Sequence, residues 1–368
     1  MSFGVYIHWP FCRSKCPYCD FYSKVQKNVP QNEIIQTYLE DISYYAERTG
    51  KQNITSVFFG GGTPSLIDAC NIEKIINHIA KVHKLSADAE ISLEANPNTN
   101  KPYLFTDLKS AGINRLSLGI QSLNPNDLRF LGRTHSVAEA LKSAEEVISV
   151  FNNHSADIIY ARPEQTISKW QNELQELCLL GFKHLSLYQL TIEDGTVFAR
   201  KNIKASDEET ASKLYELSNE VISSYGYHRY EVSNYSQTGF ECSHNKLYWQ
   251  GDDYVGIGNG AHGRLHYGKQ IIATTHHRQE EIITPIERAE ELIIMGMRLT
   301  QGINKAKFEQ CCGIAFNEYI NPQTINYLQN SDLITNNSDY LAATTKGFLV
   351  LNKIIEELIY NSPIAINN

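Results

Sequence analysis

Up to about residue 195, short apolar or β-branched runs alternate with longer amphipathic stretches. The amphipathic stretches, which include Ile72–His83, Val137–Val150 and Ile167–Leu180, carry apolar residues at the spacing of a half-buried helix. The six short runs, which we interpret as strands, are Gly4–His8, Ile54–Phe59, Glu90–Leu93, Arg115–Leu118, Ala156–Tyr160 and His184–Leu190. Strands separated by helices predict right-handed βαβ units and therefore a parallel sheet.

Polar residues or glycines stand at or just past the ends of most of these strands. They are Gly60 to Thr63, Glu94 with Asn96, Gln121 and Gln189. In (β/α) barrels the functional residues gather at the carboxyl ends of the strands. An open doubly wound sheet is the alternative, but this placement favours an α/β fold with a partial (β/α)6 barrel over residues 1–204.

The pattern changes in residues 205–368. A helix is expected at Glu208–Ser224, followed by an aromatic, glycine-rich stretch to about Gly268 and by helices at Ile286–Arg298, Asn304–Gln310 and Gln323–Gln329. The final helix carries Leu351, Ile355 and Leu358. We predict a mostly helical, winged-helix-like C-terminal domain, and the acidic balance of the chain favours a packing or docking role over DNA binding.

Three cysteines, Cys12, Cys16 and Cys19, follow the first strand within one short loop. A complete iron–sulfur cubane takes four cysteines, so three thiolates leave one iron open for a small molecule. A cubane of this kind binds S-adenosylmethionine through its amino and carboxylate groups and passes an electron to its sulfonium. A zinc or purely structural thiol site is the alternative. Zinc would need a fourth Cys or His, and the nearby His8 lies in the strand pattern.

The strand-end residues suit a small zwitterionic ligand. Three glycines before Thr63 allow close approach of bare backbone, and Glu94 could accept hydrogen bonds from ribose hydroxyls. Gln121 and Arg133 could bind a carboxylate. Taken singly, each is more often a solvated or capping residue. The Gly258-x-Gly260-x-x-Gly263 pattern has no βαβ unit around it and is interpreted as a loop.

A third segment, His244-Asn245-Lys246-Leu247-Tyr248-Trp249, joins a histidine to large aromatic side chains. The histidine could ligate heme iron while the rings stack on a porphyrin. By residue type alone, an aromatic packing cluster is favoured over a heme site. Cys242 is a weaker ligand candidate. Cys70, Cys178, Cys311 and Cys312 are expected to be ordinary small buried groups.

Composition excludes several classes. The chain has 368 residues and a formal net charge of -8, which argues against a nucleic-acid surface. Eight cysteines are too sparse for a disulfide scaffold, and the sequence contains no apolar run of about 18 residues such as a membrane helix requires. We expect a cytoplasmic protein.

The segment from Tyr6 to Ser23, which contains the three cysteines, resembles radical S-adenosylmethionine proteins of the oxygen-independent coproporphyrinogen III oxidase family. Within that family the chain is most similar to the HemW-type heme chaperones. The resemblance extends over nearly the whole chain and includes the HNxxYW motif at His244–Trp249. The oxidases carry a further cysteine two positions after the third, where this chain has Phe21.

The resemblance implies three cofactors: a 4Fe-4S cluster, S-adenosylmethionine and heme. Cys12, Cys16 and Cys19 would hold the cluster, and His244, Asn245, Tyr248 and Trp249 would serve heme. The residues implied to contact S-adenosylmethionine are Tyr6, Tyr18, Gly61, Gly62, Thr63, Glu94, Gln121, Arg133 and Asp157.

One segment departs from the family. Where the family usually reads Gly-Leu-Pro-Gly-Gln-Thr, this chain reads Ala161-Arg162-Pro163-Glu164-Gln165-Thr166. If the two missing glycines admit the cofactor closely, its binding would be weakened or altered here.

The resemblance thus implies a heme chaperone that hands heme to an acceptor protein and takes electrons for its cluster from a donor. It implies no nucleic-acid partner, and any membrane contact would be peripheral and made through the acceptor. The alternative is an enzyme, an oxygen-independent coproporphyrinogen III oxidase that performs radical oxidative decarboxylation. An RNA-modifying radical enzyme shares the cysteine spacing, but the charge argues against it.

Overall fold

The computed structural model describes residues 2–97 and 103–363. Its strands in chain order are β1 (Phe3–Trp9), β2 (Phe11–Cys12), β3 (Lys24–Val25), β4 (Asn53–Gly61), β5 (Lys84–Ala95), β6 (Arg115–Gln121), β7 (Asn153–Tyr160), β8 (His184–Gln189), β9 (His228–Arg229), β10 (Asn234–Ser236), β11 (Asp253–Ile257), β12 (Gly263–Tyr267), β13 (Gln270–Thr275), β14 (Gln279–Ile283), β15 (Ile303–Asn304), β16 (Ile334–Asn336) and β17 (Tyr340–Ala343).

The α-helices in chain order are α1 (Gln31–Thr49), α2 (Ala69–Val82), α3 (Leu104–Ser110), α4 (Pro125–Phe130), α5 (Val137–Val150), α6 (Ile167–Leu179), α7 (Val197–Arg200), α8 (Glu208–Ser224), α9 (Ser243–Trp249), α10 (Pro285–Gly296), α11 (Lys305–Cys312), α12 (Phe316–Tyr319), α13 (Pro322–Asn330), α14 (Thr345–Phe348) and α15 (Leu351–Tyr360). Single 3-10 turns cover Pro64–Leu66 and His276–Arg278.

One large sheet organises the first two thirds of the chain. Its order is β14-β13-β12-β11-β1-β4-β5-β6-β7-β8-β10-β9, and all neighbours from β11 to β8 run parallel. The six strands predicted from the sequence form and lie side by side in chain order, so the α/β fold class is confirmed. The order keeps two ends, β14 and β9, so within the described residues the sheet is not closed into a barrel.

The sheet contains a seventh parallel strand, β11, that was not predicted from the sequence. β11 comes from the C-terminal half of the chain and pairs with β1 along Phe3 to Ile7. The first strand therefore lies between β11 and β4 rather than at an edge. The glycine motif at Gly258–Gly263 follows this strand and leads into the antiparallel strand β12, so it forms a loop and a hairpin connection rather than the start of a helix.

The strands alternate apolar and polar residues because the two faces of the sheet meet different surroundings. Val57 and Leu93 on one face belong to the main hydrophobic core, together with Ile72 and Ile75 of α2. The other face, called the inner face below, is polar: Ser117 donates to Asp157 at 2.9 Å, and Ser155 bonds His184 at 2.7 Å. Side-chain hydrogen bonds thus link neighbouring strands on the inner face.

The sheet continues beyond residue 204. Leu214, Tyr235 and Leu265 belong to the same core as the first six strands. A second core begins at Ala289 and runs to Leu358, and it joins α10, α11, α13 and α15 to the small antiparallel sheet β15-β17-β16. This is the predicted mostly helical C-terminal part. The division into domains at residues 204 and 205 stays a prediction.

Among the described residues, none of the helices combines the length and the apolar composition that a membrane crossing needs.

Candidate cofactor site

The cysteine loop is tied down at both of its ends. β2, which contains Cys12, pairs with β3, and the Lys24 amide donates to the Pro10 carbonyl at 2.6 Å. Within the loop the Cys19 amide donates to the Cys16 carbonyl at 3.1 Å. All three cysteines are free thiols; Cys12 is buried, and Cys16 and Cys19 are half-buried. The loop therefore presents three unpaired sulfur atoms from a fixed backbone.

The glycine turn after β4 packs directly against this loop. The Gly62 amide donates to the Trp9 carbonyl at 2.7 Å, and the Thr63 amide donates to the Phe11 carbonyl at 3.0 Å. A Cβ added to Gly62 would lie 2.8 Å from the Phe11 oxygen and 3.0 Å from the Cys12 sulfur. Only glycine leaves that space open, so the turn holds the base of the cysteine loop without crowding its thiols.

A cavity of about 370 Å³ lies above these elements, at the carboxyl ends of the parallel strands. We call it the cysteine-loop cavity. Most of the residues predicted for the cluster and for S-adenosylmethionine line it together: Cys12, Cys16, Cys19, Tyr18, Gly61, Gly62, Thr63, Glu94, Gln121, Arg133 and Asp157. The clustering follows from the parallel strands, whose carboxyl ends meet on one side of the sheet.

Two carboxylates form the acidic part of the cavity. Glu94 accepts from the Gly61 amide at 3.3 Å, and Asp157 accepts from the Ser117 hydroxyl. Burial and the neighbouring Asp157 raise the pKa of Glu94 to about 8. Burial also raises the pKa of Asp157. Two half-buried acids, one of which raises the pKa of the other, favour ligands that bring hydroxyl donors or positive charge.

Arg133 supplies the positive charge on the opposite wall. Its Nη2 donates to the Gly119 carbonyl at 3.0 Å, and its Nη1 donates to the Cys16 sulfur at 3.5 Å. Its Nε is buried and has no hydrogen-bond partner in this structure. Arg133 lines the cavity, so its guanidinium charge would attract a ligand carboxylate that enters there.

The residues present thus fit a cubane with one open iron and a zwitterionic ligand. Both ring nitrogens of His8 have other partners, the Tyr6 hydroxyl at 2.9 Å and the Tyr22 carbonyl at 2.9 Å, so His8 is not poised as a fourth zinc ligand. Across residues 2–97 and 103–363, no three His, Cys, Asp or Glu side chains come together as they would around one metal ion.

Several residues that line the cysteine-loop cavity were not predicted from the sequence. Tyr188 of β8 faces the cavity and is 43% exposed, although its sequence position is the apolar tail of a strand. The period-2 alternation from His184 through Ser186 could have identified it, because it puts Tyr188 on the inner face. Arg13, Ser14 and Lys15 also line the cavity, from positions between the first two cysteines.

Five predicted site residues lie outside the cysteine-loop cavity: Tyr6, His244, Asn245, Tyr248 and Trp249. Tyr6 is on the inner face, where its hydroxyl bonds His8 and its ring stacks on His244 with centroids 6.3 Å apart. The family resemblance implies that Tyr6 contacts S-adenosylmethionine; in the structure Tyr6 does not line the cavity, and its ring stacks on His244.

His244 is enclosed on the inner face of the sheet. It is 1% exposed, and its ring stacks on Phe58 at 5.1 Å. Its Nδ1 bonds the Ser56 hydroxyl at 2.8 Å and its Nε2 bonds the Tyr248 hydroxyl. Burial and the nearby Arg115 lower the pKa of His244 to about 3, so the imidazole is neutral at ordinary pH.

A buried carboxylate caps the helix that carries His244. Glu90 accepts from the amides of Ser243 at 3.1 Å and His244 at 3.3 Å, at the N-terminus of α9. Arg115 lies 3.9 Å from the same carboxylate. Asn245, on the same helix, is half-buried.

Trp249 ends this helix and faces a different space. It lines a cavity of about 640 Å³, the Trp249 cavity, between the start of the large sheet and the helical C-terminal part. The Arg298 guanidinium lies 4.9 Å from the centre of the indole ring. Apolar side chains such as Leu299 and Phe308 line the cavity together with the ion pair of Asp252 and Lys307, whose charged atoms are 2.7 Å apart.

The segment that departs from the family lies behind the cysteine-loop cavity. Ala161 has a φ of 57° and Glu164 a φ of 59°, in the left-handed region that favours glycine. Neither residue lines the cavity, whereas Asp157 does. Ala161 and Glu164 therefore shape the backbone turn, and neither side chain lines the cavity.

Comparison with protein families gives two matches. Residues 6–177 match the radical SAM superfamily, and residues 283–350 match the HemN C-terminal domain.

Among characterised relatives, the heme chaperone HemW of Haemophilus influenzae is 35% identical, with 96% of this chain and 97% of that protein covered. HemW of Escherichia coli is 32% identical, with the same coverage. The mitochondrial radical S-adenosyl methionine domain-containing protein 1 of Danio rerio is 31% identical over 97% of this chain and 86% of that protein.

Among solved structures, the coproporphyrinogen III oxidase HemN of Escherichia coli aligns with a TM-score of 0.80 at 18% identity, covering 97% of this chain and 90% of that chain. This likeness shows a shared fold that includes both the large sheet and the helical C-terminal part.

Proposed function

Because the chain belongs to the radical SAM family of the HemW heme chaperones, we propose that it binds heme and transfers it to an acceptor protein. One observation carries the proposal: similarity to proteins of that name extends over 96% of this chain and 97% of theirs. The resemblance in the cysteine segment agrees with it, since Phe21 stands where the oxidases have a further cysteine.

The radical SAM family implies a 4Fe-4S cluster and S-adenosylmethionine. We propose that Cys12, Cys16 and Cys19 hold the cluster, which when bound supplies an electron to the sulfonium of S-adenosylmethionine. Arg133 and Gln121 would orient the carboxylate of that ligand. Glu94 and Asp157 would face its ribose and its ammonium, and the Gly61 to Thr63 backbone would line the space between them.

The proposed heme residues fall on two sides of α9. His244 faces the inner face of the sheet, where both of its ring nitrogens are already bonded. Trp249 faces the Trp249 cavity, which mixes apolar side chains with charged and amide groups. Heme has a large apolar ring and two carboxylates, so that cavity suits its chemistry. For His244 to ligate the iron, its ring would first have to give up a hydrogen bond, either that of Nδ1 to Ser56 or that of Nε2 to Tyr248.

The test is a heme titration of the protein after anaerobic reconstitution with iron and sulfide, followed by the Soret band. We expect saturable binding by the wild type, weakened at least severalfold in His244→Ala or in Trp249→Ala. His78→Ala is the matched control, because His78 lies on α2, bonds the Ser43 hydroxyl of α1 at 2.7 Å and lines neither of the two cavities. Wild-type protein that takes up no heme would refute the proposal.

The enzyme alternative has its own readout. An anaerobic assay supplied with coproporphyrinogen III, S-adenosylmethionine and a reductant would detect protoporphyrinogen. Steady turnover would replace the chaperone proposal with the oxidase. The same proposal includes three further points: an acceptor protein for the heme, an electron donor for the cluster and a cytoplasmic location.

A further inference from the structure

Two residues of the cysteine-loop cavity lie at the two ends of one short segment. Gln121 ends β6, and Arg133 follows α4. Gln121 has a φ of 70°, a left-handed conformation that a non-glycine residue adopts only when its surroundings hold it there. At the other end, a Cβ added to Gly132 would lie 2.5 Å from Pro17 of the cysteine loop. The position of this segment therefore sets one wall of the cavity.

A single buried carboxylate holds the segment from behind. Glu173 of α6 accepts from the Ser122 hydroxyl at 2.6 Å and from the Leu123 amide at 2.8 Å. Ser122 in turn accepts from the Asn124 amide at 3.0 Å. The three residues directly after Gln121 thus depend on one side chain, which is 7% exposed.

That carboxylate is itself held by Arg162, the residue that departs from the family's leucine. Its Nη1 donates to Glu173 Oε1 at 3.3 Å, and its Nη2 donates to Glu173 Oε2. The same Nη2 lies 3.3 Å from Asp127 of α4. Arg162 is 1% exposed and so joins α6 to α4 inside the protein.

The backbone of Arg162 is fixed as well. Its amide donates to Gln165 Oε1 at 3.2 Å, and its carbonyl accepts from the Ser206 hydroxyl at 2.8 Å. The strained residues Ala161 and Glu164 stand on either side of it in the same turn.

We propose that Arg162 is a positioning residue for the S-adenosylmethionine side of the cavity, acting through Glu173 and Asp127 on the segment that ends in Gln121 and Arg133. This inference deepens the proposed function and rests on it for the identity of the ligand. Leucine at this position could not hold Glu173 by charge, as Arg162 does.

The test measures binding of S-adenosylmethionine to reconstituted protein by anaerobic equilibrium dialysis. We expect Arg162→Leu to weaken binding about tenfold or more, as loss of a supporting contact behind a ligand site commonly does. Arg162→Lys should recover part of the affinity, because it keeps the charge but not the two-pronged contact. Glu173→Gln is a milder variant that keeps the side-chain shape, and it should weaken binding in the same direction.

A second readout separates positioning from general stability. Iron and sulfide per chain should stay at wild-type levels in Arg162→Lys and Glu173→Gln, while the change in the cluster's EPR spectrum on adding S-adenosylmethionine is reduced. Arg288→Leu is the matched control: Arg288 is 4% exposed and pairs with Glu291 at 2.9 Å in the helical C-terminal part, away from the cavity. It should leave binding unchanged.

Wild-type affinity in folded Arg162→Leu and Glu173→Gln would overturn the inference. So would parallel losses of affinity, cluster content and melting temperature in all three variants. Heme uptake tests the proposed function, whereas affinity for S-adenosylmethionine tests the role of Arg162. A failure of the proposed function is therefore distinguishable from a failure of this inference.

Discussion

Glu94 lies at the floor of the cysteine-loop cavity with a pKa near 8, because burial and Asp157 both disfavour its charge. Its ordinary pKa is 4.5, so between about pH 5 and pH 8 the folded protein binds a proton that the unfolded chain releases. Stability of the cofactor-free protein should therefore fall as pH rises through that range.

Glu94→Gln tests this at the scale of one residue. The amide cannot ionise, so the variant should lose that pH dependence and be more stable than the wild type at pH 8 by about 1–3 kcal/mol, since one pKa unit corresponds to about 1.4 kcal/mol. Urea unfolding of the cofactor-free proteins at pH 5.5 and pH 8 measures this difference in the free energy of unfolding. Glu176→Gln, at an exposed position on α6, should keep the wild-type slope. Equal slopes in both variants would exclude Glu94 as the source.

Several site residues could be predicted one by one because of where they stand in the sequence. Cys12, Gly61 and Glu94 come at or directly after apolar runs, and parallel strands bring such positions together. Tyr188 lies within a strand, so only its register reveals it. The enclosure of His244 could not be predicted, because it depends on Ser56 and Glu90, which lie more than 150 residues away along the chain.

At the scale of elements, the turn from β7 to α6 carries two non-glycine residues in left-handed conformations. Glu164 is exposed and has a φ of 59°, so glycine there should relieve strain without loss of packing. We expect Glu164→Gly to raise the free energy of unfolding by up to about 1 kcal/mol.

The control for that substitution is Glu176→Gly on the exposed face of α6. Glycine inside a helix is unfavourable, so this variant should lower stability by about 1 kcal/mol. Urea unfolding of the two variants side by side should give opposite signs. A loss of stability in both would mean that Glu164 makes favourable contacts that outweigh its strain.

Strands and helices whose apolar residues recur at a regular spacing could be predicted from the sequence, and β11, which has no such spacing, could not. The six parallel strands and α5 follow apolar runs or stripes that the sequence shows. β11 is only Asp253–Ile257, and it pairs with a strand about 250 positions earlier in the chain, so no local pattern predicts the pairing. Helix α1 did offer a signal, the stripe of Ile35, Tyr38, Ile42 and Tyr45.

At the scale of the whole molecule, His266 of β12 links the large sheet to the helical C-terminal part. Its Nδ1 bonds Asp253 at 2.5 Å, and its Nε2 bonds the Cys311 carbonyl of α11 at 2.9 Å. The hydrogen bond to Asp253 raises the pKa of His266, against an opposing effect of burial. Both partners accept hydrogen bonds, so the doubly protonated ring satisfies both.

A histidine with a raised pKa stabilises the fold most at low pH. Its contribution is complete below the ordinary value of 6.5 and is lost as pH rises through the higher folded value. We expect the melting temperature to fall by a few degrees between pH 6 and pH 9, and His266→Gln to remove the histidine's share of that fall. If His266→Gln keeps the full slope, the link between the two parts does not depend on this proton.

The position of β1 between β11 and β4 has a consequence for how the protein is made. The strand that leads into Cys12 gains one of its two neighbours only after residue 257 has left the ribosome. Until then one edge of β1 has no strand paired with it. A cluster held by the three cysteines would therefore have the full support of β1 only once β11 has been synthesised.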